Sequence, residues 1–170
     1  TGRYLDSVFD ILLNVILLGG IWYISTVSWW WWMAAFFALQ LQGTLYNYYY
    51  VILRNRLSGG DATSKVFEYK RPEALPGESQ RAVNIMYYLY QICYGLFDRI
   101  IHALDPKAYQ EALPHRYLMT LVSVYGLGFQ LLALGLALVW LPINYILPGI
   151  VLLTILMPLI IAIRKLSHHI

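Results

Sequence analysis

Charged side chains are absent from two long stretches of this 170-residue chain, residues 11–53 and 117–163. Over the whole chain, Asp, Glu, Lys and Arg make up only 12% of the residues, about half of their share in a soluble domain. A soluble domain of this size needs charge along every surface element, so that class is excluded. Each stretch is long enough for two crossings of a hydrocarbon core about 30 Å thick, at roughly 20 residues per helix. We therefore expect an all-α, polytopic membrane helix bundle that forms a single domain over residues 1–170.

Cysteine is scarce as well, since Cys93 is the only one in the chain. One cysteine cannot form an intrachain disulfide, and it says nothing about the redox compartment. The sequence also lacks an Asn-x-Ser/Thr tripeptide, so it carries no acceptor for N-linked glycosylation.

Apolar runs separated by helix-breaking residues predict five helices. Four of them are apolar enough to cross a membrane, at about 4–25, 29–54, 117–141 and 145–163, and a fifth at about 81–104 is amphipathic. A hydrophilic loop rich in glycine and proline covers residues 57–80. The run of four tryptophans from Trp29 to Trp32 is typical of the membrane–water interface.

Basic residues collect on one side of the predicted membrane. Lys65, Lys70 and Arg71 lie in the hydrophilic loop, and Arg164 and Lys165 follow the last predicted crossing. The positive-inside rule then places the loop, the start of the first helix and the C-terminus in the cytoplasm.

The helix predicted over residues 81–104 has two interpretations. As a further crossing it would put Lys107 and Arg116 outside, together with the basic residues after the last helix. As an amphipathic helix on the cytoplasmic surface it keeps all of them inside. We favour the surface helix, in which Asp98 and Arg99 mark its wet face.

The residues with the clearest chemical content stand at the start of the first helix. Asp6 and Asp10 are four residues apart, so a helix places them one turn apart on one face, with Gly2 a turn earlier and Asn14 a turn later. Two unpaired carboxylates in a membrane segment are costly and repel each other. A divalent cation held by oxygen ligands would offset that repulsion. The alternative is that both carboxylates are solvated among lipid headgroups or paired with Arg3.

Gly2, Asp6 and Asp10 form the pattern Gly-x-x-x-Asp-x-x-x-Asp at the predicted cytoplasmic start of a membrane helix. This pattern resembles the second block of the signature of the CDP-alcohol phosphotransferase family. The first block, Asp-x-x-Asp-Gly-x-x-Ala-Arg, does not occur in the chain and would precede Thr1. The family has six membrane helices, and the signature spans the second and third. The resemblance therefore implies that the four predicted crossings are the third to sixth, and we expect the full protein to have two further helices before Thr1.

The resemblance also implies a function in phospholipid or polar-lipid synthesis. A phosphatidyl-type group would pass from a CDP-linked lipid donor to an alcohol acceptor, with release of CMP and with two Mg²⁺ or Mn²⁺ ions as cofactors. Asp6 would be a metal ligand, and Asp10 would be both a metal ligand and the general base on the acceptor hydroxyl. Gly2 would allow close approach of the nucleotide to the backbone. A homodimer in the membrane is implied as well, with the active site facing the cytoplasm.

Arg54 and Arg56 are weaker candidates for substrate binding at the cytoplasmic end of the second helix. The alternative is that they are positive-inside anchors that contact anionic lipid.

Two other functions are compatible with the same residues. One is a non-catalytic membrane subunit or scaffold that keeps the fold but lacks a complete site. The other is a small transporter with Asp6, Asp10 and Asn14 as its ion site, although transport sites lie near the membrane midplane rather than at its edge. The expected partners are the lipid donor, the acceptor and membrane lipids, without nucleic acid. The acceptor stays open among the glycerol phosphate, inositol phosphate, serine and choline types that the family uses.

Overall fold

The structure, a computed structural model, describes residues 2–57, 72–75, 77–109 and 116–167. Every regular element in those ranges is a helix, which confirms the predicted all-α class. Lys65, Lys70 and Arg71, which carry part of the orientation argument, lie outside the described residues.

Seven α-helices and two short 3₁₀ turns follow one another in the described ranges. The helices are α1 Gly2–Ile24, α2 Trp29–Leu57, α3 Gln80–Leu104, α4 Arg116–Val122, α5 Leu127–Trp140, α6 Ile146–Leu153 and α7 Leu156–Ser167. The 3₁₀ turns are Ser123–Tyr125 and Ile143–Tyr145.

The helix predicted over residues 117–141 is interrupted and bent by 55° between α4 and α5. The bend falls at Gly126, whose backbone is extended (φ −68°, ψ 143°) and whose N–H donates to the Ser123 carbonyl. An added Cβ at Gly126 would lie 3.1 Å from that carbonyl and 3.5 Å from the Tyr46 ring. The distance to the carbonyl is tight and the distance to the ring is an ordinary contact, so glycine eases the turn at Ser123–Gly126.

The helix predicted over residues 145–163 is tightened in its middle, between α6 and α7. Pro158 has no N–H to donate to the Thr154 carbonyl, so the regular α-helical ladder cannot continue through this turn. The Thr154 carbonyl instead accepts from the N–H of Met157 at 3.0 Å. The whole segment Ile143–Leu166 nevertheless remains one apolar candidate span.

Two helical segments among the described residues are long and apolar enough to cross a membrane, Tyr4–Ile24 and Ile143–Leu166. A third is added if the bent pair Tyr117–Tyr125 and Leu127–Trp140 forms one span. The helix α2, at 29 residues, has a length of about 43 Å. Its tryptophans, tyrosines and glutamines lower its hydropathy, and it is not among these candidates.

α2 is the centre of the bundle and packs against α1, α3, α4 and α6. Its first half supplies Ala35, Ala38 and Leu39 to a hydrophobic cluster shared with α1, α5 and α6. Its second half supplies Leu45 and Ile52 to a cluster shared with α3, α4 and α7. The candidate spans surround α2 and turn much of their apolar surface outward, as membrane helices do toward lipid.

Aromatic side chains gather where α1 ends, α2 begins and α5 passes into α6. We call this part the aromatic end; its exposed aromatic residues are Trp22, Tyr23, Trp29, Trp30, Trp31, Trp140 and Tyr145. The Thr26 N–H donates to Asn144 Oδ1 at 2.9 Å and joins the two connections. Exposed Trp and Tyr without charges are typical of a membrane–water interface.

The opposite, charged end contains a buried ion pair between Asp105, which follows α3, and Arg164 of α7. Asp105 is 0% exposed and Arg164 is 7% exposed. The guanidinium Nη2 donates to Oδ1, and Nε faces Oδ2. The Tyr49 hydroxyl donates to Oδ2 at 2.7 Å, and the Tyr48 hydroxyl donates to the Asp105 carbonyl at 2.9 Å. One carboxylate therefore ties α2, α3 and α7 together.

The last helix, predicted to end at residue 163, continues to Ser167 and includes Arg164. Arg164 lies inside the bundle, and the neighbouring Lys165 is exposed and donates to the Leu104 carbonyl at 3.1 Å. The end of α2 is also joined to the turn that follows α3, since Arg56 Nη2 donates to the Tyr109 carbonyl at 2.8 Å. Removing one partner of a buried ion pair leaves a charge unpaired and typically costs about 3–5 kcal/mol.

We expect Asp105→Asn to destabilise the protein by about 3–5 kcal/mol, because Arg164 then keeps its charge without a counter-ion. Tyr49→Phe should cost about 1.5–3 kcal/mol, because a hydrogen bond to a charged group is lost. The matched control is Tyr50→Phe, since Tyr50 is 41% exposed on the same helix. Unfolding in a mixed-detergent titration measures all three, and equal stabilities of the Tyr49 and Tyr50 variants would contradict this role.

Candidate functional site

The predicted site residues form a stripe along the first four turns of α1 that passes from the surface into the bundle. Asp6 is exposed, Asp10 is half-buried and Asn14 is 7% exposed. Gly2 is exposed, and an added Cβ there would meet nothing within 4 Å. The described neighbours thus give no steric reason for glycine, and the nucleotide contact stays a prediction.

Tyrosines of α3 cover the start of α1. The buried Tyr4 ring packs edge-on against Tyr87 and Tyr90, with ring centroids 6.2 Å and 5.4 Å away. Tyr90 and Tyr94 stack on each other, and the Tyr94 hydroxyl donates to the Ser7 carbonyl at 3.3 Å. These contacts fix α3 beside the turn of α1 that carries the two aspartates.

A third carboxylate, Asp98, lies on α3 one turn after Tyr94. The Tyr90 hydroxyl donates to Asp98 Oδ2 at 3.3 Å. Burial raises the pKa of Asp98 to about 6, against the lowering effect of the Tyr90 hydrogen bond. Burial and then the negative charge of Asp10 raise the pKa of Tyr94, to which Asp98 and Asp6 contribute as well. Tyr94 therefore lies within electrostatic reach of three carboxylates.

Asp98 corrects the prediction that it marks a wet face of α3. Arg99 is exposed, as expected, but Asp98 is half-buried and accepts a hydrogen bond from Tyr90. Sequence reasoning missed Tyr94 and Asp98 as members of the site. The signal was available in the i, i+4, i+8 spacing of Tyr90, Tyr94 and Asp98, which places a polar stripe on one helical face.

Asp6 and Asp10 are the two predicted metal ligands. In the part of the chain that the structure describes, no three His, Cys, Asp or Glu side chains are grouped closely enough to hold a metal ion. The pair on its own suits Mg²⁺, which is usually bound by one or two carboxylates, several waters and substrate phosphates. The like charges of the two aspartates repel each other, so a cation between them would be stabilising.

Arg54 and Arg56, the predicted substrate-binding arginines, are both exposed at the end of α2. Arg56 donates to the Tyr109 carbonyl. Within the described ranges neither arginine forms an ion pair with Asp6 or Asp10. Their contact with a substrate stays a prediction.

A cavity of about 340 Å³ lies between α2, α5 and α6, away from the aspartates of α1. Its lining is apolar apart from a few polar side chains, and it includes Leu39, Gln42, Gln130, Ala133, Leu134 and Gly149. None of its described lining residues is a carboxylate, a histidine or a cysteine.

A search of known protein families, of curated proteins and of solved structures found no match to this chain. The family resemblance is therefore carried by Gly2, Asp6 and Asp10 and by the helix on which they lie.

We expect Asp98 to make stability depend on pH. Its folded pKa of about 6 lies above the ordinary value of 3.8. Protonation of Asp98 therefore stabilises the folded state. This contribution to the free energy of unfolding is complete below the ordinary pKa and is lost as the pH rises through the folded pKa. The Asp98→Asn variant has no carboxyl group to titrate at this position. The difference in free energy of unfolding, variant minus wild type, should therefore rise between about pH 4 and 6 and stay constant above about pH 7.

Thermal unfolding in detergent across this pH range measures the difference between variant and wild type. Glu73→Gln serves as the control, because Glu73 is an exposed carboxylate in the segment before α3. A constant difference between Asp98→Asn and the wild type at every pH would show that Asp98 does not titrate in this way.

Proposed function

We propose that this chain is the membrane-embedded catalytic part of an enzyme of phospholipid or polar-lipid synthesis. The enzyme transfers a phosphatidyl-type group from a CDP-linked lipid donor to an alcohol acceptor and releases CMP. The observation that supports this most is the pair Asp6 and Asp10, one turn apart at the end of an apolar helix, with the first exposed and the second half-buried. Their spacing from Gly2 matches the second block of the family signature.

Asp10 takes the proton of the acceptor hydroxyl as its oxygen attacks the phosphorus of the donor. The new P–O bond forms, the P–O bond to CMP breaks, and CMP leaves with the bonding electrons. Bound Mg²⁺ or Mn²⁺ would neutralise the charge that develops on the diphosphate. Asp6, at the exposed end of the stripe, is placed to meet the polar part of the donor. Asp10 is partly shielded from water, as a base that takes a substrate proton should be.

In the membrane, we place four crossings: α1, α2, α4 with α5, and α6 with α7. α2 qualifies as a crossing because its neighbours, rather than lipid, cover its polar side chains Gln40, Gln42 and Thr44. The aromatic end lies at one interface and the charged end at the cytoplasmic one. The exposed apolar stripe of α3 then faces the lipid surface; it contains Ile85, Leu89, Ile92 and Leu96.

Membrane lipids and a second copy of the chain are the proposed partners, the latter from the family resemblance. The second candidate function is a non-catalytic membrane subunit with the same fold. Two observations favour it. The described ranges contain no three-ligand cluster, and the polar contacts of Asp105 with Tyr49 and Arg164 at the charged end hold helices together.

We expect the full-length purified protein to release CMP from CDP-diacylglycerol when Mg²⁺ or Mn²⁺ and a suitable alcohol are present. Asp10→Asn should lower kcat by about 10²–10⁴-fold, because the general base is lost while the shape is kept. Glu73→Gln is the control, since it removes an exposed carboxylate from another part of the chain.

Metal binding gives a readout that does not depend on turnover. Asp6→Asn should weaken Mn²⁺ binding, followed by electron paramagnetic resonance, whereas Glu73→Gln should leave it unchanged. A folded wild type that releases no CMP with any acceptor would favour the non-catalytic subunit.

We expect labelling of single cysteines in sealed vesicles to separate the two placements of α3. In a Cys93→Ser background, Glu73→Cys lies before α3 and Lys107→Cys lies after it. If α3 lies on the surface, a membrane-impermeant maleimide labels both from the same side, whereas a crossing helix puts them on opposite sides.

Ser28→Cys, in the connection between α1 and α2, tests α2 in the same assay. It should be labelled from the side opposite to Glu73→Cys, because only α2 among the candidate crossings separates these two positions. Labelling of Ser28→Cys and Glu73→Cys from one side would rule out α2 as a crossing.

A further inference from the structure

Two buried polar side chains of α2 have no hydrogen-bond partner in the described part of the chain. Gln40 is 4% exposed and Thr44 is 3% exposed, and the atoms without a partner are Gln40 Nε2 and Thr44 Oγ1. A buried polar group without a partner costs about 1–3 kcal/mol. Such groups are rare in native proteins and call for an explanation.

The Gln40–Thr44 pair lies on the stripe of α2 that faces α3. One turn before the pair, the Phe37 ring lies 5.9 Å from the Phe97 ring of α3. One turn after it, the Tyr48 hydroxyl donates to the Asp105 carbonyl at the end of α3. Residues spaced by three or four positions share a helical face, so the pair lies between these two contacts.

Gln42, on the other side of α2, shows that a buried glutamine of this helix can be satisfied by protein. Trp32 Nε1 and Asn55 Oδ1 of α2 also lack a partner within the described ranges, but these two side chains are only half-buried. Gln42 is 2% exposed, and its Nε2 donates to the Ile150 carbonyl at 3.0 Å and to Thr154 Oγ1 at 2.9 Å. Its Oε1 accepts from Gln130 Nε2 at 3.2 Å. Toward α5 and α6 the polar groups of Gln42 are thus satisfied by protein, whereas Gln40 Nε2 and Thr44 Oγ1 have no partner among the described residues.

The pair lies at the depth of the catalytic stripe on α1. The helices α1 and α2 are antiparallel, and the Trp22 and Trp32 rings meet with centroids 6.5 Å apart. Asp10 and Thr44 are both twelve residues from that contact, about 18 Å along each helix. Asn14, one turn further along α1, and Gln40 of α2 are likewise equally far from the Trp22–Trp32 contact.

The chemistry of the pair suits a neutral hydroxyl group. The amide Nε2 of Gln40 donates, and the hydroxyl of Thr44 both donates and accepts. Neither side chain carries a charge with which to neutralise a phosphate or a carboxylate. A hydroxyl of a bound molecule could accept from one and donate to the other.

We propose that the Gln40–Thr44 pair binds a hydroxyl group of the acceptor alcohol while Asp10 acts on another hydroxyl of the same molecule. The inference rests on the proposed transferase function and narrows its substrate. An acceptor held at both places needs at least two hydroxyl groups. The acceptor is therefore a polyol, of the glycerol phosphate or inositol phosphate kind, rather than an alcohol with one hydroxyl such as serine or choline.

The test compares CMP release by the full-length wild type, Thr44→Val and Gln40→Met with glycerol phosphate and inositol phosphate as acceptors. Both substitutions keep the size of the side chain and remove the polar group. Each should raise the KM for the polyol about tenfold, the effect of one lost hydrogen bond, without changing the KM for CDP-diacylglycerol. The control is Asn47→Met, because Asn47 is an exposed polar residue of the same helix.

A structural role would give a different result. Replacing an unpaired buried polar group by an apolar one of the same shape leaves stability unchanged or raises it, and kinetics would then stay at wild-type values. Wild-type turnover with an unchanged polyol KM in both variants would overturn the inference and leave the transferase function standing. Turnover with serine or choline alone would overturn it as well.

A second readout applies if the wild type releases no CMP, which would count against the proposed function. Glycerol phosphate or inositol phosphate at millimolar concentration should raise the thermal unfolding temperature of the wild type but not of Thr44→Val or Gln40→Met. That pattern supports a polyol site without turnover. The same shift in all three proteins, or no shift in any, overturns it.

Discussion

The buried pair of Asp105 and Arg164 is the interaction on which the arrangement of this bundle depends. It is one of the few strong polar contacts in an otherwise apolar core, and it joins the end of α3 to α7 while Tyr48 and Tyr49 attach both to α2. α3 has an exposed apolar stripe and packs on the bundle with its other face. Anchoring its end therefore decides where its tyrosines lie over α1. The geometry around Asp10 is set in part by an ion pair at the other end of α3.

The position of α2 explains why this helix is not among the apolar candidate spans. A helix that meets lipid must be apolar on its outer face, but a helix surrounded by other helices meets protein. α2 contributes to both hydrophobic clusters and buries glutamine and threonine side chains, whereas much of the surface of α1 and α5 is exposed. The most central helix is therefore one of those that composition does not single out as a span.

The sequence predicted what depends on local pattern and missed what depends on partners distant in the chain. Charge-free stretches predict the all-α class, and the spacing of Asp6 and Asp10 places them on one face of any helix. The extended backbone at Gly126, which bends the segment between α4 and α5, is not indicated by the apolar pattern of residues 117–141. Asp105 and Arg164 are 59 residues apart, and the burial of Asp98 requires knowing that α3 turns this face toward α1. In the candidate site, the stripe on α1 was predicted. The spacing of Tyr90, Tyr94 and Asp98 on α3 was also visible in the sequence, but their position beside α1 was not.

Hydrogen-bond satisfaction locates a functional region without reference to the motif on α1. Opposite sides of α2 carry buried polar side chains of the same kinds, and burying them without partners costs free energy on either side. Toward α5 and α6, Gln42 is fully paired by protein, as a structural group should be. Toward α3, Gln40 and Thr44 each keep an unpaired atom, at the depth of Asp10 and Asn14. Within the described ranges, the side of α2 that faces α3 thus offers one buried donor and one buried hydroxyl to the proposed acceptor, and the side that faces α5 and α6 does not.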